Sequence, residues 1–437
     1  MERVEVLPGG TRPGDVAALH EALALRLGGA DLPPLLPVAP GTDPDQARDD
    51  LADSLERPVP DGTAALLRTS GSTTGTGHVV ALSADALTAS ARATHARLGG
   101  PGRWVLAVPA HHVAGLQILT RSAVAGHDPL VLDTTGGFDP AALAEVVRMA
   151  DGTGEPAPAY LSLVPTQLVR ALAAGPDVTG ALAGLGAVLV GGAALAPSTL
   201  RAAADAGIRV VRTYGMTETG GGCVYDGRPL DGVGIEVDDE SRIWLSGPVL
   251  AHGYLDDAAA DASTFVGGRL RTTDAGRITD TGALEVLGRL DDAVTSGGVT
   301  VAPVAVERRL TGMADVAECA VVGVPDPEWG EIVVAVVVLT PGRPPGPTSV
   351  PELLAVARAQ TGDLSPAHAP RALVVVDRLP LRGPGKVDRR AVTTVASRAL
   401  GVGTGDHSGD RRTARAGDGD RVTVAGVARY KSRPALG

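Results

Sequence analysis

The sequence has few aromatic residues and few cysteines. These scarcities exclude a core built on aromatic side chains and a fold held by zinc or disulfides. Aromatic side chains make up only 2% of the 437 residues, so alanine, valine, leucine and glycine must build the core. The two cysteines, Cys223 and Cys319, have no paired spacing and give neither a zinc site nor a disulfide framework. This usage suits a reducing cytoplasm. We interpret Cys223 as a small buried filler, because no base stands beside it to make it a nucleophile.

Long apolar runs and excess positive charge are also missing. The longest apolar run, from Ile332 to Leu339, is far too short to span a membrane, and no apolar segment follows Met1-Glu2-Arg3. The formal charge of −11 argues against a general binder of nucleic acid or membrane surfaces. We therefore expect a cytoplasmic protein that acts on small molecules, without nucleic acid and without membrane insertion.

Lysine is the scarcest cation. Lys386 and Lys431 are the only lysines among the 39 lysines and arginines. In a chain that uses arginine wherever a generic cation serves, a lysine inside the folded region indicates a site that needs a compact ammonium group. Lys386 is therefore a candidate catalytic residue, whereas Lys431 lies in a tail with no visible chemistry.

The apolar patterns predict an α/β fold. Between residues 61 and 212 predicted strands alternate with predicted helices, such as the helix Ala84–Leu98 with Ser83 as its N-cap. This alternation indicates a sheet whose ligand loops follow the carboxyl ends of its strands. Short runs after Gly232 predict a small antiparallel β unit. Residues 292–400 predict a smaller α+β domain.

The two ends of the chain differ in composition from the middle. Apart from a helix over 16–27, residues 1–60 are rich in Pro, Asp and Ala, with a proline-rich break at 32–40. Residues 401–437 are rich in Gly, Asp, Arg, Ser and Thr and show little periodicity, which predicts a disordered tail.

The most informative stretch is TSGSTTGTGHVV, from Thr69 to Val80, which follows a predicted strand. Glycine lets the backbone approach a ligand closely, and successive N–H groups with hydroxyls beside them form a nest for anions such as a nucleoside triphosphate. A Walker loop would need lysine after its second glycine, but Thr76 and His78 follow Gly75 and Gly77. Taken alone, the stretch is equally compatible with a flexible linker.

Two further loops carry groups that suit a nucleotide. AVLVGGA, at 187–193, ends a buried strand in small residues, where a flat purine can lie against the backbone. TYGMTETGGG, at 213–222, places Thr217 and Glu218 side by side, and a hydroxyl beside a carboxylate suits oxygen ligation of Mg²⁺ at a phosphate site.

Two more loops complete the set. In RTTDAGR, at 271–277, Asp274 can accept hydrogen bonds from both ribose hydroxyls, and in GRLDDAVTSGG, at 288–298, Arg289 supplies a cation beside a turn. Alone, each would be an ordinary turn or surface residue. The order and spacing of all five loops favour a nucleotide site instead.

Taken together, residues 61–395 resemble the adenylate-forming superfamily of acyl-CoA synthetases, carrier-protein adenylation domains and luciferases. TSGSTTGTG looks like the phosphate loop of this family, GGA its adenine strand end, YGMTET its central ATP motif and TTD its ribose-binding aspartate. GRLDDAVTSGG looks like the hinge and core loop, and LRGPGKVDRR like the motif of the terminal catalytic lysine. PAHHVAGL and YGMTETGGG are most similar to the o-succinylbenzoate–CoA ligases of menaquinone synthesis.

The resemblance implies an acid–thiol ligase that uses ATP, Mg²⁺ and CoA. Residues 1–290 would form a large N-terminal domain that binds ATP and the acid, and residues 291–400 a mobile C-terminal domain that reorients about Asp291. Lys386 would bridge the substrate carboxylate and the α-phosphate, which Thr217 also contacts. Glu218 would position Mg²⁺. A homodimer is a possible assembly.

The remaining roles implied by the resemblance fall into three groups. The ATP contacts would come from Thr69, Ser70, Gly71, Ser72, Thr73, Thr74, Gly75, Gly191, Gly192, Ala193, Thr213, Tyr214, Gly215, Met216, Asp274 and Arg289. The acyl pocket would be lined by His112, Gly215, Gly220, Gly221 and Gly222. The CoA channel would be lined by Ser296, Gly297 and Gly298.

Some features depart from the family pattern. Thr76-Gly77-His78 stands where relatives have Pro-Lys-Gly, and Thr295 where many have lysine. The phosphate loop also begins early, at residue 69, so much of the usual N-terminal subdomain is missing. His111 and His112 together are poor metal ligands, because no third ligand lies near in sequence.

Two alternatives stay open at this point. The chain could adenylate an acid and load it on a carrier protein rather than on CoA. It could also be a non-catalytic nucleotide-binding protein, which the missing phosphate-loop lysine suggests and the presence of Lys386 opposes.

Overall fold

The computed structural model describes residues 4–69, 77–151, 157–340, 349–362, 364, 366–382, 386–402 and 422–430, with only the backbone of residues 151, 382 and 386. Two compact units are present. The N-terminal unit comprises Met1–Leu195, Thr199–Thr272 and Gly276–Glu285, and the C-terminal unit comprises the remaining residues, chiefly Val286–Gly437. The main division at 285/286 lies close to the predicted boundary at 290/291.

The N-terminal unit begins with a small mixed sheet. Its first elements are β1 (Glu5–Pro8), α1 (Pro13–Leu27), β2 (Leu35–Val38), α2 (Pro44–Ser54), β3 (Thr63–Arg68) and β4 (Val79–Ser83). β1, β2 and β3 run parallel, and β4 pairs antiparallel with β3. Leu36, Leu51 and Leu66 pack together in its core. β3 and β4 flank the predicted phosphate loop and so fix both of its ends.

The larger sheet of this unit is mostly parallel. Its elements are α3 (Ala84–Leu98), β5 (Arg103–Leu106), α4 (Val113–Ala125), β6 (Leu130–Val131), α5 (Pro140–Asp151), β7 (Ala159–Leu163), α6 (Pro165–Ala173), α7 (Pro176–Ala183), β8 (Ala187–Val190), α8 (Pro197–Asp205), β9 (Val210–Met216), a 3₁₀ turn (Thr217–Thr219), β10 (Gly221–Tyr225) and β11 (Arg228–Pro229). The strand order is β11–β10–β9–β8–β7–β5–β6. The carboxyl ends of β8 and β9 are therefore neighbours, and the loops predicted to hold adenine and phosphate leave from them.

A buried polar network ties α3, α4, β5 and β10 together. Trp104 Nε1 donates to His95 Nε2 at 3.2 Å, and the guanidinium of Arg121 lies 4.8 Å from a ring centroid of Trp104. Arg121 also donates to the hydroxyl of Tyr225 at 3.2 Å. Burial, with a smaller contribution from the charge of Arg121, lowers the pKa of His95 to about 4, so its ring is a neutral acceptor at pH 7.

The predicted antiparallel unit follows. Its elements are β12 (Gly234–Val237), β13 (Arg242–Ser246), β14 (Gly253–Tyr254), α9 (Ala258–Thr264), β15 (Phe265–Val266), β16 (Arg269–Ile278) and β17 (Leu284–Arg289). The sheet has the order β12–β13–β16–β15, with β17 also pairing with β16, while β14 joins β4 of the first sheet. β14 thus carries Tyr254 to the strand that leaves the phosphate loop.

The C-terminal unit is built on a sheet covered on both faces. Its elements are β18 (Val294–Ser296), β19 (Val299–Val301), α10 (Pro303–Leu310), β20 (Val316–Asp326), β21 (Gly330–Leu339), α11 (Val350–Gln360), a 3₁₀ turn (Pro366–His368), β22 (Ala372–Val376), β23 (Leu381–Arg382), β24 (Lys386–Val387), α12 (Arg389–Ala399) and β25 (Val424–Arg429). Alternate β21 side chains pack into two separate cores, one containing Val333 and the other Val334. Burial on both faces explains why this strand reads as an unbroken apolar run.

Two predictions about the chain ends were wrong. The proline-rich break contains β2, in which Leu35 and Leu36 are buried beside β1. The tail expected to be disordered contains β25, which pairs antiparallel with β22. Its neighbour Tyr430 stacks on Arg358, with 3.6 Å between the guanidinium carbon and the ring centroid. The other residues of the tail, 403–421 and 431–437, lie outside the described residues.

In the part of the chain that the structure describes, no helix combines the length and the apolar character needed to cross a membrane.

Candidate active site

The base of the predicted phosphate loop is closed by two reciprocal hydrogen bonds. Thr69 N donates to His78 O at 2.9 Å, and His78 N donates to Thr69 Oγ1 at 2.9 Å. A Cβ on Gly77 would overlap the carbonyl oxygen of Thr69, so only glycine fits there. Ser70–Gly75, the predicted phosphate contacts, lie outside the described residues. The described residues therefore fix where the loop starts and ends.

His78, which follows Gly77 at the end of the predicted phosphate loop, is held on two sides. Its Nδ1 lies 3.6 Å from Asp256 Oδ1, and its ring stacks on Tyr254 with 4.4 Å between centroids. Asp256 Oδ1 also accepts from Val79 N at 2.9 Å. His78 thus presents an oriented imidazole at the end of the phosphate loop, where an arginine or lysine would present a long mobile cation.

Glu218, predicted to position Mg²⁺, is almost fully buried, at 9% exposure. Tyr254 Oη donates to Glu218 Oε1 at 2.6 Å, a short bond typical of a charged acceptor. Burial, followed by the negative charge of Glu218, raises the pKa of Tyr254 well above its usual value, so the phenol keeps its proton. Tyr254 therefore links His78 to Glu218 and orients the carboxylate.

The turn around Thr217 depends on close contacts between backbones. Gly215 on β9 lies against β10, and a Cβ there would overlap the carbonyl oxygen of Gly221. Gly220 and Gly221 adopt φ of 58° and 106°, which favour glycine. Thr219 Oγ1 donates to Gly221 O at 2.7 Å and accepts from Met216 N at 3.0 Å. These contacts place Thr217 and Glu218 in one short 3₁₀ turn.

The loop predicted to hold adenine lies beside β9. Gly191 follows β8 directly, and a Cβ on it would overlap the hydroxyl of Thr213. Gly192 has a φ of 84° and turns the chain away from the strand. The structure therefore brings Gly191 and Thr213, two of the predicted ATP-binding residues, into contact.

The two adjacent histidines have different surroundings. His111 is fixed to Gly9, whose carbonyl oxygen lies 2.8 Å from His111 Nδ1 and also accepts from His111 N at 2.7 Å. Burial lowers the pKa of His111, so its ring is neutral at pH 7. His112 is the N-cap residue of α4 and makes no side-chain cap hydrogen bond. This arrangement fits a structural role for His111 and leaves His112 as the acyl-pocket candidate.

Cys223 has the expected structural role. It is fully buried on β10, and burial raises the pKa of its thiol to about 12. A thiol with so high a pKa is a poor nucleophile at neutral pH.

In the C-terminal unit, two predicted residues form a pair. Arg289 donates to both oxygens of Asp291, with Nε–Oδ1 at 2.7 Å and Nη2–Oδ2 at 2.6 Å. Burial alone would lower the pKa of Arg289, but Asp291, Asp274 and Asp292 outweigh it and raise the pKa. Arg289, predicted to contact ribose, is thus engaged with the predicted hinge residue, and the charge of Asp274 also acts on it.

The predicted CoA-channel residues form the turn between β18 and β19. Gly297 and Gly298 have φ of 59° and 79° and are exposed, whereas Ser296 is buried at 3% exposure. A Cβ on Gly297 would lie 2.7 Å from the ring of Trp329. The glycine backbone, rather than the serine hydroxyl, is the accessible part of this turn.

The segment that carries Lys386 is anchored just after it. The backbone of Lys386 pairs with Arg382 in a two-stranded hairpin. Arg389 then donates to both oxygens of Glu307, at 2.8 and 3.0 Å, and lies 3.1 Å from Asp292. Arg389 therefore fixes the start of α12 to the residue next to the predicted hinge.

Tyr254, Asp256 and a buried glutamine on α4, Gln117, were not singled out from the sequence. Tyr254 is one of only five tyrosines, so the scarcity argument that selected Lys386 also applied to it. Nothing in the sequence around Asp256 or Gln117 identifies the residues that they contact, His78 and Gly220, because those lie more than a hundred residues away.

Comparison with known proteins decides the family. The AMP-binding enzyme model matches residues 21–255, and the AMP-binding enzyme C-terminal domain matches residues 305–386. The chain belongs to the AMP-binding enzyme family. The N-terminal match spans the glycine and hydroxyl loops of the N-terminal unit, and the C-terminal match ends at Lys386.

Several curated relatives carry the name 2-succinylbenzoate–CoA ligase. The "probable 2-succinylbenzoate–CoA ligase" of Mycobacterium tuberculosis (strain H37Rv) is 48% identical over 334 residues, which cover 76% of this chain and 84% of the relative. The 2-succinylbenzoate–CoA ligase of Enterococcus faecalis (strain V583) is 31% identical over 302 residues, which cover 64% of this chain and 60% of that relative.

Solved structures of AMP-binding enzymes have the same fold. ATP-bound MatB from Rhodopseudomonas palustris matches with a TM-score of 0.71 and 25% identity, over 89% of this chain and 88% of that one. The o-succinylbenzoate CoA synthetase of Bacillus subtilis, in complex with its acyl-adenylate intermediate, matches with a TM-score of 0.66 and 24% identity, over 89% and 82% of the two chains. The predicted α/β fold, with a large N-terminal and a small C-terminal domain, is confirmed.

Proposed function

We propose that this AMP-binding enzyme is an ATP- and Mg²⁺-dependent acid–CoA ligase, with o-succinylbenzoate as its acid. It forms an acyl-adenylate and pyrophosphate, and then a thioester with CoA. The observation that carries the proposal is the buried, oriented Glu218 beside Thr217, in the 3₁₀ turn that follows β9. The 48% identity of this chain to a protein named probable 2-succinylbenzoate–CoA ligase supports the choice of acid.

The residues present fit Mg²⁺ bound together with a nucleotide. Mg²⁺ usually takes one or two carboxylates plus substrate phosphates rather than a cage made only of protein ligands. Glu218 supplies one such carboxylate, and no group of three or more potential ligands occurs among the described residues. When bound, the ion would neutralise part of the negative charge of the phosphates.

In the adenylation step, the chain positions reactants and stabilises charge. Thr69–Gly75 hold the β- and γ-phosphates, and Thr217 contacts the α-phosphate. Gly191–Ala193 and Thr213–Met216 receive adenine, while Asp274 and Arg289 hold the ribose. Lys386 neutralises the carboxylate and the α-phosphate as the carboxylate oxygen attacks phosphorus in line and pyrophosphate leaves.

In the second step, the thiol of CoA attacks the acyl carbon and AMP leaves. Asp291 is the hinge that exchanges the face carrying Lys386 for the face carrying Ser296, Gly297 and Gly298. The bidentate pair of Arg289 with Asp291 opposes motion at this hinge, so we expect the pair to break or re-form between the two steps. His112, with Gly215 and Gly220–Gly222, lines the acyl pocket.

The test is pyrophosphate release from ATP and Mg²⁺ across a panel of carboxylic acids, followed by thioester assay with free CoA or a holo-carrier protein. We expect release with o-succinylbenzoate, loss of most of it in Lys386→Ala, and thioester on CoA. Pyrophosphate release only with another acid would reject o-succinylbenzoate as the substrate. Thioester formation only on the carrier protein would reject CoA as the acceptor. ATP binding without any acid-dependent release would favour a non-catalytic nucleotide-binding protein.

A further inference from the structure

A buried glutamine near the predicted acyl pocket has no partner for its amide. Gln117 lies on α4 and is only 1% exposed. Within the described residues, neither its Oε1 nor its Nε2 makes a hydrogen bond. A buried amide that forms no hydrogen bond is costly, and most buried polar groups in proteins are paired.

The amide of Gln117 lies against the glycines of the predicted acyl pocket. A Cβ on Gly220 would lie 3.4 Å from Gln117 Nε2, and a Cβ on Gly221 would lie 3.1 Å from Gln117 Cγ. Both glycines have positive φ, which disfavours any other residue. The amide thus packs against the bare backbone of the turn that is predicted to line the acyl pocket.

The other side chains beside the two glycines are apolar, and the backbone carbonyl oxygen of Val249 lies 3.7 Å from the Cβ position of Gly220. Side-chain carbons of Leu87 and Val113 lie 3.8 Å from the same Cβ positions of Gly220 and Gly221, respectively. Val113 also follows His112, the acyl-pocket candidate, in the chain. A single amide among apolar walls matches the usual composition of a small-molecule pocket, in which a few polar groups fix the orientation of the ligand.

We propose that the carboxamide of Gln117 determines the acid specificity of this pocket. It hydrogen-bonds a second oxygen, from a carbonyl or a carboxylate, that the acid carries away from its reacting carboxylate. The proposal rests on the acid–CoA ligase function above. The amide N–H group donates to that oxygen, and an acid without the oxygen leaves the amide unpaired. A site built to hydrogen-bond its substrate rejects an analogue that lacks the group much more strongly than an apolar pocket does.

The test compares two acids and two variants. o-Succinylbenzoate carries a ketone and a second carboxylate, whereas 4-phenylbutyrate carries neither. The quantity compared is kcat/KM for o-succinylbenzoate divided by kcat/KM for 4-phenylbutyrate. We expect Gln117→Leu to lower this ratio at least about tenfold, because kcat/KM falls for o-succinylbenzoate alone. Ser122→Ala is the matched control, because Ser122 is also on α4, fully buried and without a partner for its hydroxyl among the described residues. The ratio should not change in this control.

An unchanged ratio in folded Gln117→Leu would overturn the proposal. If that variant does not fold, Gln117→Glu replaces it, and its new negative charge should lower the same ratio, while no change would again overturn the proposal. Calorimetric binding of both acids beside a non-hydrolysable ATP analogue separates this proposal from the ligase function. If the wild type prefers o-succinylbenzoate in binding, the variant loses this preference, and the wild type shows no turnover, the role of Gln117 in specificity would stand and the ligase function would be rejected. Equal binding of both acids to the wild type would overturn the role of Gln117.

Discussion

Replacing Tyr254 by phenylalanine tests how Glu218 is oriented. The change removes only the hydroxyl that donates to Glu218 Oε1 at 2.6 Å, while the ring can keep its stack on His78 and its edge contact with Phe265. Hydrogen bonds to charged groups contribute about 1.5–3 kcal/mol, so we expect a loss of that size in the free energy of unfolding. If Glu218 holds Mg²⁺, losing its outer partner should also weaken metal affinity or activity about 10- to 100-fold.

Two assays separate these effects. Urea unfolding gives the stability loss, and pyrophosphate release as a function of Mg²⁺ concentration gives the change in metal requirement. Tyr160→Phe is the control, because the hydroxyl of Tyr160 donates to a neutral carbonyl, Gly100 O, at 3.0 Å. It should lose about 1 kcal/mol and keep the Mg²⁺ dependence. A Tyr254→Phe enzyme with an unchanged Mg²⁺ dependence would refute the link from Tyr254 through Glu218 to the metal.

Three further predictions follow from the described contacts. Gly215→Ala forces a Cβ into Gly221 O and should lower the free energy of unfolding in urea by more than about 2 kcal/mol. The control Gly180→Ala, which has open space inside α7, should raise it by about 0.5–1 kcal/mol. Equal effects of the two variants would contradict the close approach of Gly215 to Gly221. Acidification should protonate His95, whose pKa is lowered from 6.5 to about 4. Because the unfolded chain binds this proton near pH 6.5 and the folded protein only near pH 4, stability should fall by about 3 kcal/mol between these pH values, and His95→Gln should flatten this dependence. Deleting 422–430 removes β25 and should lower the unfolding temperature by calorimetry, at a cost of at least about 1 kcal/mol; an unchanged transition would show that β25 adds no stability.

Local patterns predicted much of the fold. The bounds of α3 were predicted without error, the buried strand predicted before Gly191 is β8, and Ser83 caps α3 by accepting from Ala86 N. These elements carry their own signals: an N-cap hydroxyl, helical periodicity, or a short buried β-branched run. The site loops were also recognisable, because close backbone approach requires glycine at fixed positions such as Gly215.

Features that depend on distant partners could not be predicted. β2 is a strand because β1 and β3 lie on either side of it, which outweighs its prolines. β25 forms because the edge of β22 accepts it, although residues 401–437 as a whole have a low-complexity composition. The contacts of Tyr254 and Gln117 depend in the same way on distant residues. Glu218 precedes Tyr254, and Gly220 follows Gln117, at long separations in the chain. Tertiary contacts, not local sequence, decide these cases.

The central claim is that the acid is activated as an acyl-adenylate, and oxygen transfer tests it most directly. The enzyme would be run with o-succinylbenzoate labelled with ¹⁸O in its carboxylates, together with ATP, Mg²⁺ and CoA, and the products analysed by mass spectrometry. The account predicts one ¹⁸O atom in the phosphate of AMP, because the carboxylate oxygen that attacks the α-phosphorus stays there when the thiol displaces AMP. Label in inorganic phosphate with ADP as the nucleotide product, or AMP without label, would contradict it.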